Sequence, residues 1–177
     1  PATLSPPQQS LRVTEIMYHP ADPPSGSPYV NSDFEFIELY NIGAPLNVSG
    51  VYFSAGISFS FGPSVFTIPA DTCVVIVNNL AAFATRYNTN SMIIAGAFVG
   101  KLDNAGERLA VNDPRNEPIQ DFSYSPTWYS VTDGHGSSLE LVDPHGPLSD
   151  WSTAEAWRAS VQSGGTPGYL VPEPAML

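Results

Sequence analysis

Short apolar runs separated by turn residues dominate the chain, and few stretches carry a helical period. Residues 11–18 (LRVTEIMY) predict a strand, and residues 34–41 (FEFIELYN) predict the clearest one. Residues 51–61 read as two short strands broken near Gly56. Residues 72–77 (TCVVIV) form a continuous apolar run, as expected of a strand buried on both faces. Residues 93–99 are apolar again. Residues 108–112 and 119–124 alternate on either side of the loop 113–118 and predict a hairpin, and residues 137–142 (SSLELV) predict a late strand. The one predicted helix is 79–87 (NLAAFATRY): Asn79 caps it, and Leu80, Phe83, Ala84 and Tyr87 share a face. A short helical turn is expected within 151–159, and the proline-rich stretch 19–32 reads as a long loop. The domain is expected to span 11–168, with a flexible lead-in at 1–10 and a linker or tail at 169–177. No internal repeat is apparent. Many short punctuated strands imply an all-β sandwich or barrel.

Composition sharpens this picture. A chain of 177 residues fits one domain, and a hydrophobic share of 42% is too high for a disordered one. With 18 prolines, 14 glycines and a single lysine, Lys101, little is left for long amphipathic helices. The net charge is −11, and the six basic residues (Arg12, Arg86, Lys101, Arg108, Arg115, Arg158) are scattered. Nucleic-acid binding draws its affinity from clustered basic groups on phosphates, so DNA, RNA and anionic membranes are poor partners for this chain. Cys73 is the lone cysteine, so no internal disulfide forms; in an apolar run it reads as an inert buried thiol. No run approaches the roughly 18 apolar residues of a membrane helix. No signal peptide is recognisable, and a start at Pro1 leads us to expect a piece excised from a larger protein.

Several fragments, taken in order, resemble the lamin tail domain family, in particular its bacterial members. They are Val13-Thr14-Glu15-Ile16-Met17-Tyr18, Glu35-Phe36-Ile37-Glu38-Leu39-Tyr40-Asn41, Leu46-Asn47-Val48-Ser49-Gly50, Gly106-Glu107-Arg108-Leu109, Ile119-Gln120-Asp121-Phe122 and Ser137-Ser138-Leu139-Glu140-Leu141. Trp157-Arg158-Ala159-Ser160 and Gly164-Gly165-Thr166-Pro167-Gly168 close the pattern, which covers about residues 11 to 168. The resemblance implies an immunoglobulin-like antiparallel β-sandwich, here of roughly seven to nine strands with one short helix. It also implies an accessory module on large secreted or surface proteins. The chain departs from the animal members in its acidity and lack of a basic patch, and it has no coiled-coil heptads. Val171-Pro172-Glu173-Pro174-Ala175 resembles the start of a bacterial Pro-Glu-Pro C-terminal sorting signal; a plain interdomain linker is the simpler reading. The expected inner face comprises Val13, Ile16, Phe36, Leu39, Val75, Val77, Leu109, Val111, Phe122, Leu139 and Leu141.

Candidate chemistry is sparse. His19, His135 and His145 are the histidines available to a hydrolase triad, but no serine sits in a G-x-S-x-G elbow, and Gly134-His135-Gly136 precedes a strand instead of following one. One cysteine and three dispersed histidines argue against zinc. Calcium prefers loop oxygens, and Asp22, Asn31 and Asp33 at the edges of the first long loop are the candidate ligands. Asp103, Asn104 and Glu107 sit near Gly106, and Asp143 and Asp150 flank a later loop; all of these also read as ordinary solvated turn acids. Glu35 and Glu38 stand at odd separation and face opposite sides of a strand. Glu15 and Glu38 lie among apolar neighbours on adjacent central strands, so each must be hydrogen-bonded or paired when buried. Arg12, Arg108 and Arg158 are the candidate partners, and an internal salt bridge or backbone clamp is expected in preference to catalysis. Tyr124, Trp128 and Tyr129 are candidates for stacking on a sugar or anchoring a protein partner; alternatively, Trp128 plugs one end of the sandwich. Trp151 and Trp157 are expected to pack the C-terminal segment.

The resulting expectation is a noncatalytic interaction module of a bacterial secreted or cell-surface protein, with no required cofactor. Its partners would be proteins, cell-surface glycans or other domains of a larger parent chain, with no membrane insertion. The alternative is a carbohydrate-binding module, calcium-assisted or not, built on the three aromatics.

Overall fold

The computed structural model describes residues 3–171. It contains 11 strands in three sheets, and the chain is mostly β, as the punctuated apolar runs predict. In chain order the regular elements are α1 (Pro6–Ser10), β1 (Leu11–Met17), β2 (Phe36–Asn41), β3 (Leu46–Asn47), β4 (Tyr52–Ala55), β5 (Thr67–Ile68), β6 (Thr72–Val77), α2 (Leu80–Arg86), β7 (Ile94–Ala97), β8 (Arg108–Asn112), β9 (Pro118–Ser123), β10 (Leu139–Leu141) and β11 (Trp157–Ala159). A six-stranded sheet runs in the order β11-β10-β1-β2-β6-β7, a three-stranded sheet in the order β4-β8-β9, and β3 pairs with β5. The two larger sheets share one apolar core, to which Val13, Ile16, Ile37, Leu39, Val74, Ile76 and Leu139 contribute from one side and Phe53, Leu109, Val111 and Phe122 from the other.

The large sheet is covered on both faces, so β1 and β2 are buried along their whole length. This corrects part of the expected inner face. Phe36, Val75 and Val77 are buried, but they point away from the main core and pack with Met17 and Phe83 beneath α2. The run 72–77 is apolar at every position and therefore carries no parity signal, and a one-residue slip exchanges the two faces. In β1 the register shifts between Val13 and Glu15. This bulge keeps Val13 and Ile16, three residues apart, in the same core.

One pair departs from an all-antiparallel arrangement: β6 and β7 run parallel because α2 forms the crossover between them. Asn79 caps α2 as expected, its side chain accepting hydrogen bonds from the amides of Ala81 and Ala82 at 3.1 Å each. Phe83 and Tyr87 stack at 4.3 Å and meet the Phe36 ring edge-on at 5.8 and 5.9 Å. The buried face of α2 turns on Ala82 and Phe83, whereas Leu80 and Ala84 of the expected stripe are exposed.

A second helix, α1, lies in the stretch read as a lead-in. Gln8 Nε2 donates to the Pro118 carbonyl at 3.0 Å, and Arg12 donates to the Gln8 and Gln9 carbonyls, so α1 is tied to β1 and β9. Trp151 and Trp157 are packing residues, each 1% exposed. Trp151 Nε1 donates to the Val13 carbonyl at 2.9 Å, and Trp157 Nε1 donates to the Trp151 carbonyl at 2.9 Å. Among the described residues, no helix is long and apolar enough to cross a membrane. The Pro172-Glu173-Pro174 segment lies outside the described residues.

Candidate functional site

Strand register lines up four charged side chains on the outer face of the large sheet. Arg158 on β11 pairs with Glu140 on β10, Glu140 with Glu15 on β1, and Glu15 with Glu38 on β2. Three carboxylates thus stand side by side across neighbouring strands, an arrangement that like-charge repulsion disfavours. All three are buried, with relative exposures of 1% for Glu15, 1% for Glu38 and 5% for Glu140.

A strap formed by residues 164–170 closes over the row. The Thr166 amide donates to Glu15 Oε1 at 2.8 Å, and the Gly168 amide donates to Glu38 Oε2 at 2.8 Å. Hydroxyls fill the remaining positions: Thr14 Oγ1 lies 2.7 Å from Glu38 Oε1, and Ser138 Oγ lies 2.5 Å from Glu15 Oε1. Thr166 Oγ1 sits between two carboxyls, 3.3 Å from Glu15 Oε2 and 3.0 Å from Glu140 Oε1. Arg158 Nε donates to Glu140 Oε2 at 3.1 Å and is the row's ion-pair partner. The β1 bulge makes this possible, because it lets Thr14 reach the same side as Glu15. Gly165 (φ 76°) sits so close that a Cβ there would collide with the Glu15 carboxyl. Both the positive φ and the close approach require glycine at this position.

Burial sets the electrostatics. It pushes the Glu15 carboxyl well above the ordinary carboxylate range, and the neighbouring Glu38 adds to the effect. Burial also raises Glu38 to about 7, against the opposing hydrogen bonds from Thr14 and the Gly168 amide. Cys73 on β6 faces Glu38, and burial followed by that charge pushes its thiol far up, which keeps it an unreactive thiol.

The carboxylate pair foreseen on β1 and β2 is therefore present, but its expected arginine partners are placed differently. Arg158 pairs with Glu140 instead of Glu15 or Glu38. Arg108 forms a surface pair with Asp121 at 2.6 Å, and Arg12 is occupied by backbone carbonyls. The backbone clamp, supplied by Thr166 and Gly168, is what holds the two glutamates. Glu140, Ser138 and Thr166 stand out in the sequence only as parts of the family-like fragments and not as members of a site. A signal was available: Glu38 and Glu140 are each flanked by two aliphatic residues within a strand, as Glu15 is on one side by Ile16.

Asp33 uses its oxygens on the Val30 amide and the Asn79 side chain, Asp22 is exposed, and Asn31 lines a separate cavity. Among the described residues, no three His, Cys, Asp or Glu side chains are grouped to hold a metal ion. The cavity beside Asn31, about 350 Å³, is also lined by Glu35, Lys101, Asp103, Asn104 and Glu107. Burial raises Glu35 to about 8, although its Oε2 accepts a hydrogen bond from the Leu102 amide at 2.8 Å. Tyr124 is buried, and Trp128 and Tyr129 are half-buried. Tyr124 is 3% exposed, with its hydroxyl bonded to the Asp103 carbonyl and to Glu107. Tyr129 directs its hydroxyl to the Ala154 and Trp157 carbonyls, and Trp128 packs half-buried against the main core. His19 Nδ1 contacts Asp133 Oδ1 at 2.6 Å, and among the described residues no serine hydroxyl bonds to that histidine. His135 and His145 are exposed.

Comparison with protein-family models, with curated proteins and with solved structures returned no match. What the site can do is therefore read from its own atoms. A row this deeply buried can hold protons and fasten a chain segment.

Proposed function

We propose that this chain is a noncatalytic, immunoglobulin-like accessory module of a bacterial secreted or cell-surface protein, related to the lamin tail domains it resembles. One observation carries the reading: the row of Glu15, Glu38 and Glu140 is buried beneath the protein's own strap and holds the fold together. The ordered fragments shared with bacterial lamin tail domains supply the context, and a net charge of −11 suits a module in contact with proteins or glycans more than with phosphate polymers.

The first test is enzymatic. The purified chain, assayed on generic esters, phosphates and glycosides, is expected to show no turnover; turnover abolished by His19→Ala would overturn the reading. The second test is attachment. A fluorescent reporter fused to the chain is expected to stay on bacterial cells under washing that removes the reporter alone, and equal loss of both would count against it. A glycan array run with and without chelator separates the alternative. Binding that Trp128→Ala removes without unfolding the chain would make it a carbohydrate-binding module.

A further inference from the structure

The row Arg158–Glu140–Glu15–Glu38 contains three carboxyls and one guanidinium, all on the face that the strap covers. Desolvated charges persist only when they are paired, so the arginine accounts for one carboxylate and leaves two without a counter-ion. The hydrogen bonds say where neutral carboxyls fit. Thr166 Oγ1 carries one hydrogen but lies within bonding distance of both Glu140 Oε1 and Glu15 Oε2. If that hydrogen serves the Glu140 carboxylate opposite Arg158, the contact to Glu15 is completed by a proton on Glu15 itself.

The same division of labour recurs at Glu38. Its Oε2 faces a backbone amide, which can only donate, and its Oε1 faces the Thr14 hydroxyl, which can equally well accept. Both glutamates without an arginine present one oxygen to an amide of the strap, which for Glu15 also receives the Ser138 hydroxyl, and the other to an ambivalent hydroxyl that can accept a carboxyl proton.

We propose that the strap is a proton-operated latch: two protons held on Glu15 and Glu38 pin residues 164–170 to the sheet, and their loss releases it. This goes beyond the accessory-module reading and does not depend on it. The charged and titratable groups facing the pair are Glu140 on β10, Arg158 on β11, Cys73 on β6, and Tyr87 with Arg86 on α2. Of these, only the arginines are cationic, and Arg86 is engaged with the Phe34 ring and the Ala21 carbonyl. Arg86 keeps its charge but forms no ion pair with either glutamate, and Arg158 is paired with Glu140, so once both glutamates ionise neither has an ion-pair partner among the described residues and the row repels itself beneath the strap.

The test is amide hydrogen exchange on the whole chain, expressed as protection factors so that the intrinsic effect of pH is removed. Protection at the Thr166 and Gly168 amides is expected to fall between pH 5 and 8, by roughly tenfold per pH unit for each proton released. Protection at Leu109 and Val111 on β8 should stay level. Glu15→Gln combined with Glu38→Gln keeps an amide-facing oxygen and places an NH₂ toward each hydroxyl, so its strap protection should be independent of pH. Should that variant fail to fold, carboxyl-carbon NMR titration of the wild-type chain decides the matter. Charge changes at Glu15 and Glu38 above about pH 6 support the latch, and midpoints in the ordinary carboxylate range near pH 4 overturn it. Strap protection that tracks β8 at every pH would also overturn it.

Discussion

The outer face of the large sheet is closed in two ways. Toward one end of β1, β2 and β6, the row Met17–Phe36–Val77 is covered by α2 through Phe83 and Tyr87. One pleat further along, the row passes through Glu15 and Glu38 and is covered by residues 164–170 through hydrogen bonds. The same strands thus carry an apolar closure and a polar one within about two residues of each other along the strand, a separation near 7 Å. The difference is one of conditions. Apolar contact is indifferent to protons, whereas a buried carboxyl is stable only in the state of charge its partners can match.

The contrast can be broken from either side. Phe36→Ala removes the ring on which both Phe83 and Tyr87 rest, and it should cost about 3–5 kcal/mol in denaturant titration, by the same amount at pH 5 and pH 8. On the polar side, the raised carboxyls of Glu38 (about 7) and Glu35 (about 8) mean that the folded chain holds protons more tightly than the unfolded one. Their stabilising contribution is therefore full below the ordinary carboxylate range and declines as pH rises toward about 7 and 8 respectively. Each proton released contributes about 1.4 kcal/mol per pH unit to that decline, measurable as a fall in Tm or denaturant midpoint across pH 5 to 8. Asp121, held low by its hydrogen bonds from Arg108, works in the opposite sense, but only as pH falls below the carboxylate range. Glu35→Gln should flatten part of the wild-type slope without altering protection of the strap amides, because Glu35 bonds to Leu102 and takes no part in the row.

Smaller effects refine the comparison. Gly165→Ala should cost at least about 1–2 kcal/mol for the left-handed backbone alone, and the new methyl group must also displace the Glu15 carboxyl. Its signature is a weakened strap with α2 unchanged. Asn79→Ala removes the cap from α2 and should cost about 1 kcal/mol, again without dependence on pH.

Local rules made much of the framework legible. The hairpin of β8 and β9 follows from alternation about a turn, and the start of α2 follows from an asparagine placed before a short helical stripe. Face assignment failed where the sequence has no alternation to read. Every residue of Val74–Val77 is apolar because both faces of β6 are covered, and so Val75 and Val77 were assigned to the wrong side. The helix at Pro6–Ser10 was missed because its prolines suit a first helical turn as well as an extended lead-in, and its contacts come from the distant Pro118. Two members of the carboxyl row could be suspected from their apolar neighbours, but the third could not be tied to them without register. Nor could the strap be foreseen, since Thr166 meets Glu15 across 151 positions of sequence.

Closure by residues 164–170 also determines where the domain can be trimmed. A boundary drawn after β11, the last strand among the described residues, would look tidy and would retain all three sheets. It would also strip the lid from three glutamates in a single rank, admit water to the middle of the large sheet, and leave a protein with an acidic furrow that residues 164–170 keep hidden.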